Sequence, residues 1–373
     1  MKELKFYLLG ELGEITSSKR IFQSEYVDDG IPFYRTKEIK ELANKEPISN
    51  ELFISRERYE EIKVKFGVPE VGDILITAIG TVGEIYIVEN EKEFYFKDGN
   101  ILWLKGFKDV DPFFLRYLLS SLINELQNLS SGSAYKALPI TKLKEYKIPL
   151  PPLEEQRRIA AILDKADGVR RKRKEAIRLT EELLKSTFLE MFGDPVTNPK
   201  GWEVESLGDL VEFRTGKLDS NAAVENGRYP FFTCSRVPFS IDEYAFDCEA
   251  LLLAGNNASA DYWVKHYKGK FNAYQRTYIL NLKNERISYF YMQKALDLRL
   301  NELKQSSRGT NTKYLTLTIL KPIKIQLPNI EVQDKYEAFC RSQETQRGRL
   351  TQAFEQSENL FNSLLQRAFR GEL

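Results

Sequence analysis

Apolar residues recur at a helical interval in two separate stretches of the chain. From Ile159 the apolar or small positions fall at 162/163, 166, 169, 176/177, 183/184, 188 and 191/192; from Tyr336 they fall at 339/340, 350, 353/354, 360/361, 364/365 and 368/369. A period between three and four predicts two long helices, each with one apolar seam on an otherwise charged rod. Forty residues at roughly 1.5 Å each make a rod of about 60 Å. A helix of that length with interrupted heptads is marginal alone, so the two seams are expected to cover each other, the helices running antiparallel.

The lead-in to the first helix, "KIPLPPLEEQ", carries its own start signal. Pro149, Pro151 and Pro152 forbid helix before it, while Glu154 and Glu155 set negative charge against the macrodipole of the first turn. Gly193 and Asp194-Pro195 stop it. Elsewhere the pattern is strand-like: "DILITAIG" (73–80), "IYIV" (85–88), "ALLLAG" (250–255) and "TYILNL" (277–282) are short apolar runs bounded by Gly and Asn. Shorter helical patterns follow at "DPFFLRYLLSSLINELQNL" and "SYFYMQKALDLRLNELKQ", with Asp111 and Ser288 in the N-cap positions.

The two halves are copies. Residues 150–194 align without gaps on 327–371 at an offset of 177, with identical pairs that include Pro151/Pro328, Gln156/Gln333, Leu183/Leu360 and Phe192/Phe369. The repeat extends upstream through "SSGSAYKAL" and "SSRGTNTKYL", through "NILWLKG" and "YILNLKN", and through "LGEL" (9–12) and "LGDL" (207–210). The expected fold is α+β: two mixed α/β domains, residues 1–150 and 195–327, joined by two long antiparallel helices, 151–194 and 328–373, in a pseudo-twofold internal repeat. The second lead-in, "LPNIEVQDKY", lacks the double proline and the Glu pair, so its helix is expected to enter at a slightly different angle or bind its partner less symmetrically.

Composition narrows the function classes. A chain of 373 residues with 42% hydrophobic content can bury two cores. No apolar stretch reaches membrane-spanning length, and "MKELKFYLLGELGE" mixes charge into its apolar patch, so a cytoplasmic protein is expected. Cys234, Cys248 and Cys340 with the single His266 cannot supply a disulfide framework or a four-ligand zinc site. The net charge of +1 offers no bulk basic footprint; a nucleic-acid role then requires segregated charge or a partner that supplies the rest.

On "PLPPLEEQRRIAAILDKAD", the tandem order of domain and helix, and the terminal "FRGEL", the chain resembles the specificity subunits of type I restriction-modification systems. The resemblance covers the whole chain and makes the two domains target-recognition domains. It implies a non-catalytic subunit that binds double-stranded DNA and two modification (methyltransferase) subunits. It further implies that the assembly recruits restriction subunits and that S-adenosylmethionine and ATP sit on those partners, with no cofactor or metal expected on this chain. Each domain would read one half of a split target and the paired helices would set the unread gap, the heads falling about 34 Å apart on one face of DNA.

Candidate DNA contacts are side chains whose donors suit phosphates and base edges. The polar loop before each long helix offers Ser133, Tyr135 and Lys136 in one copy and Arg308, Thr310, Asn311 and Lys313 in the other. "EITSSKR" and "EFRTGK" offer Lys19, Arg214 and Lys217; "PFYRTKEI" and "PFFTCSRV" offer Arg35, Lys37 and Arg236, and for any single arginine a phosphate contact or a surface ion pair is favoured over base reading. Asn256 and Asn257 in "LLAGNNASADYW" suit adenine, but Gly-Asn-Asn is also ordinary turn chemistry, which is the favoured reading. "RRKRK" (170–174) points in every direction around a helix, which favours a solvated face or a docking site over a DNA patch. The chain contains neither G-x-x-x-x-G-K-[ST] nor a strand-borne G-x-G-x-x-G, which disfavours a fused nuclease or methyltransferase; a helical tether without DNA reading is the other rival.

Overall fold

A computed structural model of the chain describes residues 5–79, 82–122, 138–257, 260–309 and 312–373. Its contacts divide it into two units, Met1–Lys172 with Phe354–Leu373, and Arg173–Ala353. The long helices are Leu153–Phe192 and Ile330–Arg370, and each contributes a stretch to both units. They begin at aligned positions of the repeat, so losing the proline and Glu pairs does not move the second start.

In the first unit the strands Glu14–Thr16, Ile101–Lys105, Ile74–Thr77 and Ile85–Ile87 form an antiparallel sheet in that order. Its strands read as unbroken apolar runs because both faces are covered. Ile74, Ile76, Leu102 and Leu104 pack with Phe114, Leu118, Ile159 and Leu163, whereas Leu75, Ile101 and Trp103 pack with Ile39, Phe94 and Phe96. A smaller sheet orders Tyr26–Val27, Phe53–Ile54, Ile31–Tyr34 and Tyr95–Phe96 and shares a core with Tyr59 and Ile62 of the helix Arg56–Phe66.

The second unit merges the equivalent strands into one six-stranded sheet, ordered Val211–Thr215, Thr277–Leu282, Phe246–Ala254, Val264–Ala273, Tyr229–Phe232 and Phe239–Ile241. Alternation again splits its residues between two cores: Leu251, Leu253 and Leu280 go to the face that carries Phe188 and Tyr336, and Ala250, Leu252 and Ile279 to the other.

The repeat is carried into three dimensions by the same local devices. Lys5–Leu8 pairs with Lys147–Leu150, and Glu203–Ser206 with Lys324–Leu327. "LGEL" and "LGDL" are both four-residue helices, Leu9–Leu12 and Leu207–Leu210. A Cβ on Gly10 would lie 2.9 Å from Lys144 Cβ, closer than real Cβ atoms come, and one on Gly208 3.0 Å from Lys321 Cβ, so glycine allows the same close approach at both positions. Asp111 caps Pro112–Ser121 by accepting from the backbone N–H groups of Phe113 and Phe114, and Ser288 caps Tyr289–Leu298 by accepting from that of Tyr291.

Two buried glutamines tie those caps to the long helices. Gln156 Oε1 accepts from the Asp111 N–H at 2.8 Å, while its Nε2 donates to the carbonyls of Asp109 and Pro151 at 3.0 and 2.8 Å. Gln333 repeats the arrangement, accepting from the Ser288 N–H at 2.8 Å and donating to Arg286 and Pro328 at 2.9 and 2.7 Å.

Within each unit the two helix stretches run antiparallel. In the first, Arg158 donates to the Leu373 carbonyl while Arg170 pairs with Glu358. In the second, Arg173 donates to the Ala353 carbonyl, Arg347 pairs with Glu181, and Tyr336 donates to the Leu184 carbonyl. The seam departs from its sequence pattern at mid-helix. Val169 and Leu183 are 47% and 46% exposed, whereas polar Asp167 and Thr180 are buried. Burial works to raise the Asp167 carboxyl, but the guanidiniums of Arg171 and Arg170 outweigh it and hold it below the usual carboxylate range. Part of "RRKRK" is thereby spent on internal contacts.

Candidate nucleic-acid interface

In the second unit four segments meet at one end of the large sheet, beyond the last pair Ala254 and Thr277. Asn256–Asn257 pairs with Lys313–Tyr314, and Arg308 exchanges two backbone bonds with Tyr314. Leu315 N–H donates to the Gly255 carbonyl at 2.8 Å. From the neighbouring loop, Cys234 Sγ donates to Asn256 Oδ1 at 2.6 Å, and Arg236 makes two bonds to Asp261 at 2.9 and 2.5 Å. Gly255 N–H donates to the Arg276 carbonyl at 2.8 Å, and a Cβ at Gly255 would sit 2.3 Å from that oxygen, so the junction admits glycine alone.

Charge here is concentrated. The hydrogen bond from Arg236 holds the Asp261 carboxyl below its usual range. Lys265, 4.6 Å above the Trp263 ring and donating to the Arg236 carbonyl, is pushed down by burial and then by Arg236. Burial raises the Cys234 thiol, which keeps it protonated as a donor.

Behind this loop cluster, burial lifts Asp297 from an ordinary 3.8 to about 6, against the pull of Lys294, a backbone hydrogen bond from Val264, and Arg236. A folded-state value above the unfolded one means that ionising Asp297 costs stability; the cost is absent below about pH 4 and complete above about pH 6. Asp297→Asn is therefore expected to stabilise the fold at pH 8, by a ceiling of about 3 kcal/mol, raising the melting temperature there, and to leave it unchanged at pH 4. Calorimetry at the two pH values checks this, and an equal shift at both would contradict it.

The first unit repeats the arrangement. Leu138 N–H donates to the Ala78 carbonyl at 3.1 Å, and Ala78 N–H to the Asn100 carbonyl at 2.8 Å, matching the Leu315, Gly255 and Arg276 bonds. A concavity of about 660 Å³ opens here, with Arg20, Phe22, Tyr26, Arg35, Lys97 and Asn100 on its walls. Arg20 pairs with Asp98 at 3.0 Å, and Phe22 is 61% exposed at the rim.

The structure brings Arg236, Asn256, Arg308 and Lys313 into one cluster, with the Asn257 backbone paired to Lys313. Lys217 lies beside it, since Leu218 bridges to Tyr274 at the turn that precedes Arg276. Arg214 does not join them: its guanidinium runs along the sheet to Asn281 at 2.6 Å and over the Phe246 ring. In the first unit Arg35 faces the concavity but is bound at 2.8 Å to the fully buried Glu38; Lys37 is exposed on the helix Thr36–Asn44. Lys19 is anchored by its N–H to Tyr95 Oη at 2.7 Å and lies over Phe66. Ser133, Tyr135, Lys136, Thr310 and Asn311 lie outside the described residues.

Sequence reasoning missed Arg20, Lys97, Asn100, Lys265 and Arg276. A signal existed for two of them, because Asn100 and Arg276 immediately precede the apolar runs "ILWLK" and "TYILNL". Among the described residues no helix is long and apolar enough to cross a membrane, and no group of three or more His, Cys, Asp or Glu is placed to hold a metal ion.

Two mixed α/β units built to one plan, each gathering basic and amide side chains at the same sheet end, define a duplicated α/β module. The model of the family described as the Type I restriction modification DNA specificity domain matches residues 1–179 and again 199–339, and the chain belongs to that family. The EcoDI specificity subunit of Escherichia coli is 34% identical over 179 residues, covering 47% of this chain and 39% of that protein. The MjaIX specificity subunit of Methanocaldococcus jannaschii is 25% identical over 385 residues, covering 89% and 84%. The chain thus spans about two-fifths of the first curated relatives it matches, 39% and 38% of their lengths. In fold it is similar to the crystallised type I restriction-modification S subunit from M. genitalium, with a TM-score of 0.61 at 16% identity over 99% of this chain and 97% of that one.

Proposed function

We propose that this chain is the non-catalytic specificity subunit of a type I restriction-modification complex, each unit reading one half of a bipartite DNA target. The observation that carries this reading is the twice-built loop cluster, in which the same backbone bonds hold different polar side chains. A common scaffold with different readers makes the target asymmetric. The long helices set the unread spacer and dock the modification subunits. Leu183 and Leu360, aligned in the repeat and 46% and 57% exposed, supply apolar area for that docking. Restriction subunits join the assembly, S-adenosylmethionine and ATP are held by the partners, and the complex works in the cytoplasm.

The test is a four-residue insertion, slightly over one helical turn and about 6 Å long, after Lys172 and again after Ala353, where both helices pass between units. Sequencing methylated adenines in cells that carry the complete operon is expected to show a longer spacer between unchanged half-sites. An unchanged spacer with altered bases, or no bipartite motif with the parent chain, would overturn the proposal.

A further inference from the structure

Asn100 and Arg276 occupy one and the same position of the repeated scaffold. In the first unit the strand Tyr95–Phe96 runs parallel to Ile31–Tyr34, and Lys97 N–H then donates to the Tyr34 carbonyl at 2.9 Å. In the second unit the end of Val264–Ala273 runs parallel to Tyr229–Phe232, and Tyr274 N–H donates to the Phe232 carbonyl at 2.9 Å. A tight turn follows in each. The carbonyls of Asn100 and Arg276 then accept from Ala78 and Gly255 N–H, both at 2.8 Å, and the next residues, Ile101 and Thr277, pair with Thr77 and Ala254. Each side chain is launched from a backbone held on both sides by hydrogen bonds, at the sheet end where the candidate loops gather.

These two side chains are also uncommitted. Asn100 lines the concavity and makes no side-chain hydrogen bond among the described residues. Arg276 is exposed and has no carboxylate partner among them; its charge acts on Cys234, next to Asn256. Of the arginines nearby, Arg20, Arg35 and Arg236 are held by carboxylates, whereas Arg308, exposed, has no carboxylate partner among the described residues and is placed by the Tyr314 backbone and not by the sheet. A carboxamide offers one donor pair and one acceptor, the complement of adenine N7 and N6, while a guanidinium offers only donors, the complement of guanine O6 and N7.

We infer that this shared position determines a base in each half of the target, Asn100 selecting adenine in one half-site and Arg276 selecting guanine in the other. The inference rests on the DNA-reading role proposed above. Arg276→Asn and Asn100→Arg, each in the full complex, test it through methylated-site mapping and competition between duplexes that differ at one base pair. Arg276→Asn is expected to abolish a preference for guanine of about 5- to 150-fold at one position of one half-site, while the other half and the spacer stay as they were. Asn100→Arg should do the converse, replacing adenine by guanine in the opposite half. A uniform loss of methylation with every base preference retained would assign both residues to phosphate contact and sink the inference. Failure of the parent complex to methylate any bipartite motif would instead remove the underlying role. Arg276→Lys, which keeps the charge but not the fork, separates the two contacts: a base reader loses its guanine preference and a phosphate contact does not.

Discussion

Phe188→Ala is expected to destabilise the second unit by about 3–5 kcal/mol. Phe188 is fully buried, stacked on Tyr291 at 5.4 Å, edge-on to Tyr336 at 5.5 Å and tilted against Phe192 at 4.9 Å. Phe192 in turn meets Tyr291 and Tyr336 edge-on, so the four rings form one block in which every member supports the others. Removing the central ring leaves a void that three rigid neighbours cannot close, and the cost is transfer energy plus cavity. The unit spans residues 173 to 353, a size at which that loss lowers the melting temperature by roughly 6–20 °C. Calorimetry of the whole chain reads it, and a shift under about 2 °C would mean the block does not carry the packing. Phe188→Leu should lose far less, because the aligned residue in the first unit is Leu365, partly buried and packed against that unit's main core.

Gln333→Ala should cost about 2–4 kcal/mol, and Gln156→Ala a similar amount in the first unit. Each glutamine saturates an N-cap N–H and two carbonyls that no other described group satisfies, and Gln333 is fully buried. Truncation strands three backbone groups in a site too enclosed for free solvation, and leaving them unpaired costs more than making the bonds gains. Gln333→Leu separates polarity from volume: it fills the space yet restores no bond, so it is expected to melt nearly as early as the alanine variant. A leucine variant as stable as the parent would show that shape, and not hydrogen bonding, decides at this position.

How far the chain could be read in advance differs between its parts. Phe192, Ile159 and Phe361 are buried as their helical spacing predicts, and Asp111 and Ser288 cap the helices they precede. Gln156 and Gln333 were visible only as an identical pair at the 177-residue offset; their role depends on Asp109 and Arg286, some 47 residues upstream by chain separation. Mid-helix, Val169 matched the apolar period and is exposed, because burying Asp167 with two arginines displaced the seam.

The candidate interface shows the same limit more sharply. By sequence "NILWLKG" matches "YILNLKN", which sets Asn100 against Tyr278; the backbone bonds set it against Arg276, two residues away. A slip of two leaves the alternation of faces untouched, so no reading of apolar and polar positions detects it. Likewise Arg236 and Arg35 read alike in their local motifs. One is paired with Asp261, 25 residues on, the other with the buried Glu38 only three residues away.

Periodicity along the chain therefore settled the long helices, the mixed α/β character of each half and the existence of a repeat, because these follow from interactions between near neighbours. Strand register, the partners of each charge and the coincidence of Asn100 with Arg276 were decided only when distant segments met, since hydrogen bonds between strands carry no signature in either segment alone.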